Sequence, residues 1–96
     1  METRTTKEIL IAARKLIEKK ESWFGGDRFS ESGDEKCALL AIADTEYSDW
    51  EQAADYLGHT VNNKKITSDR MALVNFNNTH THAEVLAAFD KAIAEA

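Results

Sequence analysis

His80 and His82 stand two residues apart, and a His-x-His pair supplies two zinc ligands when a strand or turn points both rings the same way. They flank Thr81, which Glu84 marks as the cap of a helix, so the rings are expected to diverge. A tetrahedral set would also need His59, Asp90 or Cys37. Cys37 is the only cysteine and lies in the most apolar stretch of the chain, where a thiol behaves as a small hydrophobe unless a base stands beside it. Asp44, Glu46, Ser48 and Asp49 carry oxygens at the alternating positions of a calcium loop. The sixth position is Asp49 where glycine is required, and the twelfth is Asp55 where a bidentate Glu is expected, so an acidic helix start is the better reading. Gly25-Gly26 precedes Asp27-Arg28, but neither Gly-Lys-Ser/Thr nor Gly-x-Gly-x-x-Gly follows, which argues against a phosphate cradle. None of these chemistries is complete. The expectation is a non-catalytic protein with no metal and no cofactor, a small metal- or thiol-dependent enzyme being the alternative.

Two binding readings remain. Gln52 to Gly58 resembles the first helix and turn of a helix-turn-helix, with Lys64, Lys65 and Arg70 following and a recognition helix due near Asn62 or Asn63. Three basic residues on an acidic chain are few for phosphate anchoring, so DNA binding through residues 51–76 ranks second. The other reading is a protein-binding surface: Trp23 and Phe24 as anchors in the glycine- and aromatic-rich loop 22–33, with Asp44, Glu46, Asp49 and Asp55 as a steering rim. Trp23, Phe24 and Phe29 fit the completion of a small core equally well.

The elements that position these residues announce themselves by one repeated device, Ser or Thr followed three residues later by Glu: Thr5 and Glu8, Ser32 and Glu35, Ser48 and Glu51, Thr81 and Glu84. Each reads as a capping box that satisfies two orphan donors of a first helical turn. Behind Thr5, Ile9, Ala13, Leu16 and Ile17 mark an amphipathic helix to about Glu21. From Ser32 to Asp44 the chain is apolar on nearly every face beyond Cys37, which predicts the central helix. Trp50, Ala53, Ala54 and Leu57 form the stripe of a third helix stopping at Gly58, and residues 59–66 read as a loop. Thr67 or Ser68 is expected to cap a helix holding Met71, Ala72, Val74 and Phe76, and Thr81 one with Val85, Leu86, Phe89 and Ile93 on one face.

Composition bounds the answer. Ninety-six residues without proline, 43% hydrophobic and 30% charged, fit one globular domain over residues 1–96. The net charge of −5 is uneven: residues 1–21 carry +2, residues 27–55 carry −7, and residues 56–96 are neutral. Such a chain is a poor non-specific ligand for nucleic acid and suits a basic protein partner. Residues 1–20 lack the apolar stretch of a secretion signal, the lone cysteine has no internal partner, and no window is long and apolar enough to span a bilayer. A cytoplasmic protein off the membrane is expected.

Leu16-Ile17, Trp23, Cys37-Ala38-Leu39, Asn75 and Thr81-His82-Ala83-Glu84-Val85-Leu86 together resemble a family of short, uncharacterised bacterial and phage-borne helical proteins. Members commonly read Trp-Asn-Asp where this chain has Val74-Asn75-Phe76, and Cys-Ala-Leu-Gly where it has Cys37-Ala38-Leu39-Leu40. The resemblance implies a helical fold and supplies no substrate. The expectation is an all-α compact bundle of four to five short helices, with the 32–44 helix central and the first and last helices packed on it. Its expected role is an accessory or inhibitor protein of a phage or mobile element that acts on a host protein.

Overall fold

The computed structural model of the protein describes residues 4–19, 22–23, 37–62 and 68–96. Helix α1 (Thr6–Leu16) opens with a capping box: the Thr5 hydroxyl accepts from the Glu8 N–H at 3.1 Å, and the Glu8 carboxylate accepts from the Thr5 N–H at 3.3 Å. It buries Ile9, Leu10 and Ala13 and ends a turn earlier than its periodicity suggests. Ile17 leaves the helix at φ −120°, its side chain still in the core, and its carbonyl accepts from His82 Nε2 at 2.6 Å. A carbonyl that a continuing helix would bond is thus taken by α5.

Helix α2 (Ala38–Ala43) is shorter than the helix expected from Ser32. Cys37 is extended (φ −79°, ψ 171°) and acts as the N-cap, its Sγ accepting from the Leu40 N–H at 3.4 Å. Ser32 and Glu35 lie outside the described residues. Helix α3 (Trp50–Val61) has Asp49 at its N-cap, without a side-chain cap hydrogen bond, so it starts one residue later than the Ser48–Glu51 spacing predicts. A turn leads into it, closed by the bond from the Trp50 N–H to the Tyr47 carbonyl at 3.1 Å.

Gly58 does not stop α3, which runs three residues further. Its role is close approach. A Cβ there would stand 2.0 Å from the Asp69 carbonyl oxygen and 2.6 Å from its carbon, so α3 and α4 cross backbone to backbone. Helix α4 (Asp69–Thr79) starts at Ser68, whose hydroxyl accepts from the Met71 N–H at 3.3 Å. Its buried stripe is Ala72, Leu73 and Asn77, with Phe76 half-buried, while Met71 is 63% exposed. Helix α5 (His82–Glu95) repeats the capping box at Thr81 and Glu84 and buries Val85, Phe89 and Ala92.

The result is an all-α bundle of five helices, with no strand among the described residues. All five supply side chains to one core built on Ile9, Leu10, Ile17, Ile42, Leu57, Leu73, Val85 and Phe89. The central helix is α3, which touches all four others, whereas α5 packs chiefly on α1 and α3 instead of on α2. Six residues of α2 are too short to carry the whole bundle, and the small residues Ala53, Ala54 and Gly58 let neighbours close on α3. At the rim, Arg14 of α1 sits against Asp90 of α5 (Nε to Oδ1 2.8 Å).

Candidate functional site

The connection between α2 and α3 is the most acidic corner of the described fold. Asp44 ends α2, exposed, and the Thr45 hydroxyl donates to the Ile42 carbonyl at 2.7 Å, tightening the exit. Glu46 follows at φ 60°, the left-handed region that a residue with a Cβ enters at a cost. Tyr47 is half-buried beneath the Arg4 guanidinium, 5.5 Å from the ring centroid. Asp49 stands at the N-cap of α3, and Glu51 is exposed in its first turn. From residue 37 to residue 62 there are five carboxylates and no Lys or Arg.

Of the expected rim, Asp44, Glu46 and Asp49 are brought onto this corner. Asp55 stands apart, further along α3, where Arg70 of α4 pairs with it at 3.3 Å. The same guanidinium lies 5.7 Å from the centroid of Trp50. Arg70 is therefore held by α3, and α4 begins at Asp69 instead of near Asn62 or Asn63. Lys64 and Lys65 lie outside the described residues.

Trp23 takes the core position of its two readings: it is 8% exposed, and its indole N–H donates to Asn77 Oδ1 at 2.8 Å. Phe24 lies outside the described residues. Asn77 was missed by sequence reasoning. It is the one buried polar residue among those described, and its Oδ1 also accepts from the Ala38 N–H at 3.0 Å, so one side chain ties Trp23, the start of α2 and α4 together. The available signal was an Asn in register with Leu73 and Phe76 on the apolar face of α4.

The two histidines take different partners. His82 lies against Trp23, ring centroids 5.4 Å apart, and donates to Ile17. His80 stacks on Phe76 with centroids 3.8 Å apart and planes 17° apart, while its Nδ1 lies 2.9 Å from the Phe76 carbonyl. His59 faces Asp69 at 3.7 Å, Asp90 is paired with Arg14, and Cys37 caps α2. Among the described residues no three His, Cys, Asp or Glu side chains converge as a metal set.

His80 also lines a groove of about 400 Å³ with Val61, Phe76, Glu84, Ala88 and Lys91, at the C-terminal ends of α3 and α4 and against α5. The backbone hydrogen bond from Thr81 holds the Glu84 carboxyl below its ordinary value, helped by the Thr81 hydroxyl and by the charge of His80 when protonated. Desolvation opposes these, weighing less than the two Thr81 hydrogen bonds and more than the His80 charge, and the net lowering keeps Glu84 an anion at neutral pH.

Among the described residues no helix is long and apolar enough to cross a membrane. Neither a curated protein nor a solved structure matches the chain. The sequence profile of DUF6197, described as a family of unknown function, matches residues 1–95, nearly the whole length. That match agrees with the likeness carried by the Cys37-Ala38-Leu39 and Thr81 to Leu86 segments, and the chain belongs to the DUF6197 family.

Proposed function

We propose that this is a non-catalytic protein-binding domain whose α2–α3 corner engages a basic partner. The observation that carries the reading is Glu46: a charged residue with a Cβ occupies φ 60°, where glycine would be relaxed, in the middle of an acidic corner. Strain kept at an exposed carboxylate is accounted for by a use for the carboxylate. Leu40, 44% exposed and one helical turn before Asp44, supplies an apolar centre beside the charges. Asp44, Glu46, Asp49 and Glu51, against the single guanidinium of Arg4 over Tyr47, leave a net negative field that raises the rate of encounter with a cationic surface. With Trp23 in the core, the anchoring role falls to Leu40 and the half-buried Tyr47.

Small size, acidity and a corner without a catalytic constellation suit an accessory or inhibitor protein of a phage or mobile element acting on a host protein in the cytoplasm. The test is affinity capture from a lysate of the source organism, with mass spectrometry, comparing the native chain with an Asp44→Lys, Glu46→Lys, Asp49→Lys variant. The native chain should retain a Lys- and Arg-rich protein that high salt releases, and the variant should not. Retention indifferent to both salt and charge reversal overturns the reading.

A further inference from the structure

We propose that the groove at the C-terminal ends of α3 and α4 binds a small zwitterion, a linear amino-carboxylate whose ammonium sits between His80 and Glu84 and whose carboxylate meets Lys91. The groove lies at the other end of α3 from the acidic corner, so this site is independent of the protein-binding surface. Its volume of about 400 Å³ falls within the range of small-molecule pockets.

The ring of His80 is held in place. Its Nδ1 stands 2.9 Å from the Phe76 carbonyl and 3.0 Å from the Thr79 hydroxyl, and its face is stacked on Phe76. A carbonyl only accepts, and the Thr79 hydroxyl already donates to the Asn75 carbonyl at 2.8 Å, so Nδ1 carries the proton. In that tautomer Nε2 is the acceptor, and it has no hydrogen-bond partner among the described residues.

Glu84 gives Oε1 to the Thr81 N–H at 2.9 Å and keeps acceptor capacity on its carboxylate. Two helices end here, α3 at Val61 and α4 at Thr79, and α5 begins here at His82, so helix ends of both signs meet at the groove and its charge is set by the side chains. Two acceptors, one of them a carboxylate, call for a compact donor cation, and an ammonium has three N–H groups to share between them.

Lys91 reverses the sign at the far end. Seven residues after Glu84 it lies nearly two turns along the same face of α5, about 10 Å down the axis. Helical side chains lean toward the N-terminus, and Lys91 lines the same groove as Glu84. Ala88 between them leaves a shallow floor, and Val61 and Phe76 make apolar walls. A ligand with opposite charges at its ends and a short hydrocarbon between them matches each part in order. An α-amino acid, with both charges on one carbon, spans too little of the groove.

The experiment is a nuclear magnetic resonance titration of the full chain with 5-aminopentanoate, and with pentanoate and pentylamine as probes each lacking one charge. The expected result is a saturable shift of the His80 ring and of the Ala87, Ala88 and Lys91 amides by 5-aminopentanoate. Affinity for either single-charge probe should be about tenfold weaker or worse. Lys91→Gln and Glu84→Gln should each weaken 5-aminopentanoate by about tenfold, the second while keeping its cap, because Gln serves the capping box as Glu does. No saturable shift, equal binding of pentanoate or pentylamine, or native affinity in either variant overturns the proposal.

Discussion

Asn77 shows how one residue can hold three parts of a small fold. Its Oδ1 is the acceptor for both the Trp23 indole and the Ala38 N–H, two donors inside the core. Removing the acceptor leaves both unpaired, and each buried orphan costs about 1–3 kcal/mol. Asn77→Ala is therefore expected to destabilise by about 2–5 kcal/mol, read from urea unfolding followed by tryptophan emission. Trp23→Phe removes one of the two donors in advance, so the double variant should lose less than the sum of the single losses, and strict additivity would break the account. Gly58 gives a second prediction with an unusual sign. An exposed helical Gly→Ala change stabilises by about 1 kcal/mol, whereas here the new Cβ would meet the Asp69 backbone, and overpacking of that kind costs about 3 kcal/mol. The melting temperature of Gly58→Ala should fall, and a rise would show that α3 and α4 can separate without loss. Neither residue's role was legible in the sequence. A glycine after Leu57 reads locally as a helix stop, and only the non-local path of α4 turns it into a contact; Trp23 fitted core and surface alike until its partner was known.

At the scale of the helices, local chemistry was readable wherever it sufficed. Thr5 with Glu8 and Thr81 with Glu84 begin their helices as the Thr-x-x-Glu spacing implies, and Ser68 caps α4. The third helix starts one residue later than Ser48 implies, after the Tyr47–Trp50 turn, and α1 stops where His82, sixty-five positions away, takes the Ile17 carbonyl. Helix boundaries fixed by such long-range bonds leave no local signature. The two working boxes carry a pH dependence. Hydrogen bonds from Thr5 and Thr81, the backbone N–H first and the hydroxyl second, lower the Glu8 and Glu84 carboxyls from 4.5. A depressed folded-state value contributes stability that is fully present above 4.5 and lost as pH falls through the lowered value. Glutamine keeps the hydrogen-bonding geometry and does not titrate. The Glu8→Gln, Glu84→Gln variant should therefore melt close to the native chain at neutral pH and show a shallower decline on the acid side. Both groups are exposed, so the difference will be small; parallel curves from circular dichroism melts across the acid range would dismiss it.

For the whole molecule, the consequential property is the separation of charge from packing. The core draws on all five helices, while residues 37–62 carry five carboxylates and no Lys or Arg, four of them where α2 hands over to α3. The overall acidity was readable from composition. That Asp44, Glu46 and Asp49 share a corner while Asp55 is drawn away by Arg70 depends on how α3 and α4 cross, which spacing alone does not reveal. A corner selected for stability would place glycine at residue 46, and this chain places glutamate there at φ 60°. Glu46→Gly relieves the left-handed conformation, worth about 1 kcal/mol against the added chain entropy of glycine, and removes one charge from a crowded set. Unfolding stability should thus stay level or rise by up to about 1 kcal/mol. Association with the captured basic partner should slow in the same variant, with a weaker dependence of its on-rate on salt. Glu46→Ala separates the two effects, since it removes the charge and keeps the strained backbone: its association should slow as in the glycine variant, without the gain in stability. If Glu46→Gly binds at the native rate, the strain at residue 46 has no connection with binding, and the case for the acidic corner falls with it.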